Sequence, residues 1–464
     1  MKTEQRELAP SGESIEALGK HGCVPQVNAR QAFPVDTSVQ LLGLIERYGR
    51  TRRAIPVSFR KLVPWLKVGE RATHYLHPYP AKLLPHIAHF FLASKLMCPR
   101  DGTVLDPFGG SGTVALETCL SGRVAAYADT NPLARLIAEA KICIPDTQQL
   151  ENSLRDVELR YKRSRAGRPP SVVNLTKWFE PDVIRDLCRL KSAVEAEPEA
   201  EIRRLLQVTF SATVRRVSNA DHRLSVPVLA KNDVNCEKRI STWQRFSDQL
   251  SANVKRLNDL RSLGVHNSKL RIAGTDARHI VNESGGFLDA ESVDLVITSP
   301  PYAGAQKYIR ASSLSLGWLD MAGEGKLKPL ENLTIGREHL CKVDVDANPN
   351  TSVSAANRVI ERIRAKNPTR AAICATYLNE MESVFTQITR AIKFGGYFVL
   401  IIGNNEVCGE KFLSSIYLTS ILERLGLELK LKLVDEIKSR GLMTKRNRTA
   451  SVITREWVLI FRKI

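Results

Sequence analysis

"VLDPFGGSGTVALE", residues 104–117, sets the frame for the sequence around it. Thr103, Val104 and Leu105 form a short apolar run that predicts a buried strand ending at Asp106. Gly109, Gly110 and Gly112 then allow a tight turn and close approach of a ligand to the backbone. A helix is predicted over 113–121, and its first N–H groups favour a negative group in front of them. The loop is not a phosphate-cradling GxxxxGK[ST] motif, because Thr113 and not a lysine follows Gly112. The GxGxxG dinucleotide pattern is absent from it as well. A second strand over 124–128 ends at Asp129, with Asn131 shortly after. This β-loop-α-β unit implies a parallel sheet with a right-handed crossover. Asp129 lies about 20 residues beyond the glycines, where an acid accepts hydrogen bonds from ribose hydroxyls. The same position also suits a helix cap.

Strand signals resume over 270–273, ahead of Asp276, and over 293–297, ahead of Ser299, Pro300, Pro301 and Tyr302. Two prolines cannot extend a ladder, so the strand stops there. A helix over 378–392 leads into a strand over 397–402, and further strands are predicted over 428–434 and 456–462. Upstream, residues 1–40 are polar and turn-rich, followed by a short helix near 39–48 and another over 81–96. Between about 145 and 268 the pattern turns helical and charged, with amphipathic helices over 146–160 and 244–262. Residues 303–370 read as a polar loop region. The expected fold is α/β, a doubly wound, mostly parallel, Rossmann-like sheet with a large helical insertion.

The 43% hydrophobic and 25% charged residues among 464 are those of an ordinary soluble protein. The net charge of +19 and pI near 9.6 point toward a polyanion, most often nucleic acid, against the alternative of a generally basic surface. Nine cysteines with no CxxC pair fit reduced thiols in a cytoplasmic protein and argue against a zinc site or a disulfide framework. The N-terminus shows no apolar signal-peptide region, and no run approaches the roughly 18 apolar residues of a membrane span. No metal and no membrane partner is expected.

DPFGGSGT, residues 106–113, matches motif I of the S-adenosylmethionine-dependent DNA amino-methyltransferases, commonly DPFxGSGT. SPPY, residues 299–302, resembles their motif IV, (D/N/S)PP(Y/F/W). The resemblance implies a class I methyltransferase domain with S-adenosyl-L-methionine held by Asp106, Pro107, Phe108, Gly109, Gly110, Ser111 and Gly112, and by Asp129 and Asn131. It suggests that Asp276 faces the adenine, although TDA also fits the start of a helix. HYLHPYPAKLLPHIAHFFL (74–92) is similar to the motif X segment, which would bring Tyr79 and Lys82 near the methionine end; a capped core helix is the plainer alternative. FGGYFVLIIGNN (394–405) resembles the strand-turn of motif VI, and stretches 178–191 and 210–223 also look like segments of this group.

The catalytic residues implied are Ser299, Pro300, Pro301 and Tyr302. An exocyclic base amine is a poor nucleophile because its lone pair is delocalised into the ring. A serine oxygen and the Pro300 carbonyl can accept its two N–H bonds and draw the nitrogen toward a pyramidal shape. The diproline fixes the carbonyl direction, and Tyr302 offers a face on which a flipped base can stack. In the family, serine at the first position is commoner among cytosine-N4 enzymes, and Asp or Asn among adenine-N6 enzymes. Cytosine-C5 methylation needs a thiolate, usually in a Pro-Cys pair, and the chain has no Pro-Cys. Arg215, Arg216, Arg223, Lys445 and Arg446 are DNA-contact candidates; exposed arginines on a solvated helix are the bland alternative for the first three.

The chain divides on this reading into an N-terminal arm (1–60), a first part of the methyltransferase domain (61–144), a basic helical insertion that could read the target (145–268), and a second part (269–464). The insertion falls between Asp129 and Asp276, an unusual place for target recognition in the family, so the loop after Tyr302 competes with it for that role. The expected partner is double-stranded DNA, with a cognate restriction endonuclease or another defence partner as a further expectation. An RNA amino-methyltransferase and a non-catalytic methylase-like DNA-binding subunit are the rivals.

Overall fold

A computed structural model describes residues 32–67, 71–80, 82–230, 240–264, 270–304, 308–323, 326–347, 349–436 and 455–464. Its strands are β1 (Ile55–Val57), β2 (Thr103–Asp106), β3 (Val124–Ala128), β4 (Leu270–Gly274), β5 (Val293–Thr298), β6 (Ile392–Ile402), β7 (Asn405–Val407), β8 (Glu410–Phe412), β9 (Leu427–Glu436) and β10 (Arg455–Lys463). Eight form one sheet in the order β1-β9-β10-β6-β5-β2-β3-β4, while β7 and β8 pair separately. Only the pairings of β10, with β6 and with β9, are antiparallel in the large sheet. From β2 the chain proceeds outward through β3 and β4, and from β5 in the other direction through β6. The reversal lies between β2 and β5, where Val104 faces Leu295 and Leu105 faces Val296. In doubly wound sheets the ligand crevice opens outside the carboxyl ends of strands at such a point.

Both faces of the central strands are buried, and period-2 alternation splits their side chains between two cores. Leu105, Val296, Phe398 and Leu400 pack beneath the helices Ser354–Lys366, Pro368–Ala391 and Ser414–Arg424. Val104, Leu295, Ile297, Val399 and Ile401 point the other way, toward the helices Ser38–Thr51 and Pro85–Ala93.

The segment 303–370 is not the polar loop its composition suggests. It carries the helices Tyr308–Ala311, Ser313–Trp318, Lys328–Leu333, Lys342–Asp346 and Ser354–Lys366. In the last of these, Ala356, Val359, Ile360 and Ile363 recur at helical spacing and are buried, and the polar residues that dominate the composition lie on the outer face. The helix predicted over 378–392 begins ten residues earlier, at Pro368, with Asn367 accepting from the Arg370 N–H as its cap.

Between β3 and β4, the helices Thr147–Arg163, Pro181–Glu195, Ala200–Val217 and Thr242–Ser262 build a core of their own. That core closes on the helix Pro132–Ile142 and on Ser313–Trp318. The fully buried Trp318 makes edge contacts with Phe179 and Phe210, at ring-centroid distances of 5.5 and 6.1 Å.

Candidate active site

The glycine loop owes its shape to close contacts. A Cβ on Gly109 would stand 2.2 Å from the Tyr127 ring. Gly112 has φ +75°, and a Cβ there would meet Ala138 Cβ at 2.7 Å. Only glycine fits either position. The Tyr127 hydroxyl donates to the Gly110 carbonyl at 2.6 Å, and the Gly109 N–H donates to Ala128 O at 2.9 Å. The loop is thus laced to β3.

Asp129 follows β3 and accepts from the N–H groups of Gly110 (2.9 Å) and Asn131 (2.8 Å), one on each carboxylate oxygen. Burial pushes its carboxyl above the ordinary range. Asn131 caps the helix Pro132–Ile142 and donates to the Tyr79 hydroxyl at 3.0 Å and to Ser312 Oγ at 3.1 Å. Lys82 donates to the His74 and His77 carbonyls, and burial lowers it to about 8.

One open cleft of about 890 Å³, counting the space at its mouth, brings these groups together. Its walls include Tyr79, Lys82, Asp106, Pro107, Phe108, Gly109, Gly110, Ser111, Asp129, Asn131, Ser299 and Pro301. The two halves come from strands adjacent in space and remote in sequence. They are tied where Thr298 Oγ1 donates to Asp106 Oδ1 at 2.7 Å. Burial pushes Asp106 up to about 7, against the opposing pull of the Thr298 and Phe108 hydrogen bonds.

Several expected residues stand elsewhere. Gly112 is packed on Ala138 and does not line the cleft. The Pro300 side chain is buried, and the half-buried Tyr302 ring is tied by its hydroxyl, which donates to Glu456 Oε1 at 3.3 Å. Asp276 is half-buried and paired. Arg278 takes its carboxylate (2.7 Å) and the adjoining Ala277 lines the wall. Arg215 is turned inward, donating to the carbonyls of Asp221 and Leu224, so its charge holds a loop. Arg223 is exposed but paired with Asp221 at 2.7 Å, and Arg216 is exposed. Lys445 and Arg446 lie outside the described residues.

Other cleft residues carried no motif: Thr130, Tyr308, Ile309, Thr334 and Ile335. The last four come from the segment whose composition reads as a polar loop, and Thr334 and Ile335 lie in a turn after the helix Lys328–Leu333. Behind the glycine loop, Glu117 is fully buried and accepts from Arg71 (2.7 Å) and pairs with His74 (2.7 Å) and His89 (3.1 Å). Despite burial, Arg71 and the two imidazoles hold this carboxyl well below its ordinary range. Burial lowers His74 and His86 to about 4 and His77 to about 3, so these rings are neutral. Among the described residues there is no group of three or more His, Cys, Asp or Glu that could hold a metal, and no helix long and apolar enough to cross a membrane.

A doubly wound sheet whose switch point joins DPFGGSGT, a strand-end acid and a serine-diproline-tyrosine turn defines the class, an S-adenosylmethionine-dependent methyltransferase. Within that class the chain is similar to two Type II methyltransferases. It is 25% identical over 361 residues to the Type II methyltransferase M.MvaI of Kocuria varians, covering 72% of this chain and 77% of the relative. It is 33% identical over 91 residues to the Type II methyltransferase M.MjaII of Methanocaldococcus jannaschii, covering 20% of this chain and 17% of that relative. No family model matches the chain. Solved structures similar to it include a SAM-dependent methyltransferase from Methanosarcina mazei (11% identity, TM-score 0.30, 83% of this chain and 99% of that one). Another is a candidate DNA modification methylase from Thermus thermophilus complexed with S-adenosyl-L-methionine (20% identity, TM-score 0.20, 40% of this chain and 51% of that one).

Proposed function

We propose that the chain methylates the exocyclic amine of a base flipped out of double-stranded DNA, with cytosine N4 as the acceptor. The observation that carries this reading is the shared cleft: Ser299 and Pro301 line the same walls as the glycine loop and Asp129. Bound there, S-adenosylmethionine supplies an electrophilic sulfonium methyl group. The residues present suit it. Each Asp129 oxygen accepts one backbone N–H and keeps a lone pair for a ribose hydroxyl. Phe108, Ala277 and Ile335 offer apolar wall for an adenine ring, and Lys82 offers a cation for a carboxylate.

At the acceptor, Ser299 Oγ and the Pro300 carbonyl accept the two amine N–H bonds and turn the nitrogen lone pair out of conjugation. Pro300 and Pro301 hold that carbonyl at a fixed angle. Tyr302 gives the extruded base a ring to stack against, worth roughly 1–3 kcal/mol. Serine in the first position of the turn supports cytosine N4 over adenine N6. Relatedness to Type II methyltransferases supports DNA as the substrate and a cognate endonuclease as partner. The 145–268 insertion supplies the DNA face on this reading, since Arg163, Arg165, Arg168, Arg185, Arg189 and Arg216 are exposed on it.

The test is incubation with tritiated S-adenosylmethionine and either duplex DNA or bulk RNA, followed by nucleoside separation. Label in N4-methylcytosine is expected. Label in N6-methyladenine would replace the base, and label confined to RNA would overturn the DNA reading.

A further inference from the structure

We propose that Glu380 is a positioning residue for the turn Ser299, Pro300, Pro301 and Tyr302, acting through the segment 333–337. The inference rests on the reading of that turn as the acceptor site. Gly336 has φ +75°, and a Cβ on it would stand 2.7 Å from the Tyr302 carbonyl oxygen and 3.4 Å from Pro301 Cβ. The backbone at 336 therefore lies directly on the peptide that follows the diproline. Two residues of the same segment, Thr334 and Ile335, line the cleft with Ser299 and Pro301. The segment backs the turn on one side and faces the cofactor space on the other.

The segment follows the short helix Lys328–Leu333 and has no regular structure of its own, so its place depends on side-chain ties. Arg337 Nη1 meets Glu380 Oε1 at 2.6 Å, and Arg278 Nη1 meets the same oxygen at 2.7 Å. Arg278 also donates to Leu333 O at 2.9 Å, at the head of the segment, and is itself steadied by Asp276. Both ends of the segment thus converge on one carboxylate. Glu380 stands on the long helix Pro368–Ala391, whose neighbouring Met381, Val384 and Phe385 are fully buried, so the anchor is rigid. The Glu380, Arg278 and Arg337 side chains are only 13%, 20% and 17% exposed. Loss of the carboxylate leaves two poorly solvated guanidinium groups side by side, and they repel.

Arg278 also draws Asp276 into this arrangement. Its carboxylate serves the brace. The turn is also held by Asn405 Nδ2 donating to Ala303 O at 3.1 Å and by the Tyr302–Glu456 contact. These remain when Glu380 is changed, so the turn loosens and does not unfold.

The experiment compares wild type, Glu380→Gln, Arg337→Met and Arg337→Lys by two readouts. One is the single-turnover methylation rate on duplex DNA at saturating cofactor and DNA, with the cofactor Kd measured alongside. The other is native-state hydrogen exchange of the amides at 302–304, which needs no activity. Glu380→Gln and Arg337→Met are expected to lower the rate about tenfold, since small displacements of reacting groups cost that much or more. Exchange at 302–304 is expected to rise about tenfold, with the cofactor Kd changed less than about threefold. Arg337→Lys, which keeps one bond to Glu380, is expected to recover most of the loss. An unchanged rate in both neutralising variants of an active wild type overturns the proposal, as does unchanged exchange. A loss of cofactor affinity equal to the loss of rate also overturns it, because the segment would then be only a cofactor wall. If wild type transfers no label to DNA while the variants still exchange faster at 302–304, the brace stands and the substrate reading fails.

Discussion

The glycine loop and the serine-diproline turn lie on adjacent strands of one cleft, yet they are held in place by different means. The loop is fixed by its near neighbours. Gly110 reaches Asp129 and Tyr127 at separations of 19 and 17 residues, all within one β-loop-α-β unit. The turn is fixed by distant ones. Its ties run across 192 residues to Asp106 through Thr298, 102 residues to Asn405 and 154 residues to Glu456. A cofactor loop of this kind is a local property of its sequence. The serine-diproline turn is local only in the prolines that end its strand, and its direction depends on the whole sheet.

The largest effect expected is at the turn. On the proposed reading Ser299→Ala removes one of the two amine acceptors, and methyl transfer should fall by about 10²–10³-fold while the cofactor Kd changes less than about threefold. A radiolabel assay beside equilibrium dialysis measures both, and intact transfer would remove the turn from the chemistry. Gly109→Ala strikes the other half. Its Cβ would meet the Tyr127 ring at 2.2 Å, so the loop must shift, at about 1–3 kcal/mol of overpacking. Cofactor affinity should drop about tenfold to a hundredfold, and a wild-type Kd would show that the loop tolerates movement.

Acid should act on the buried histidines between residues 74 and 86. His74, His77 and His86 are neutral when folded, lowered by burial from 6.5 to about 4, 3 and 4. Between pH 6.5 and about 4 the unfolded chain takes up protons there that the folded chain refuses, so stability present above pH 6.5 is lost as pH falls. Thermal melts from pH 7.5 to 4.5 should show Tm declining, and His77→Gln should make the decline shallower; an identical slope would assign acid sensitivity to other groups. The smallest effect is expected outside the cleft. Arg216→Ala should weaken DNA binding a few-fold, lower the salt slope by about 1 and leave the single-turnover rate unchanged. Arg223→Ala should do less, because Asp221 already neutralises that guanidinium. The reverse ranking, read from fluorescence titrations at several salt concentrations, would move the DNA path.

The amino-acid sequence by itself determined the glycine-loop half of the cleft almost completely. Val104 and Leu105, three glycines and a strand ending in Asp129 form their strand, turn and helix through contacts close along the chain. It also determined the chemistry of the turn, since two prolines after an apolar run stop a strand wherever they occur. Only the tertiary structure decided which side chains enter the cleft. Asp276, Arg215 and Arg223 have suitable chemistry, but their charges are taken by Arg278, by backbone carbonyls and by Asp221. Thr334 and Ile335 lack any motif and line the wall because Glu380 and Arg278 place them there. A charged side chain that leaves water goes to the partner that best replaces its hydration. That partner is set by packing between segments far apart in the chain, which neither a motif nor a periodicity records.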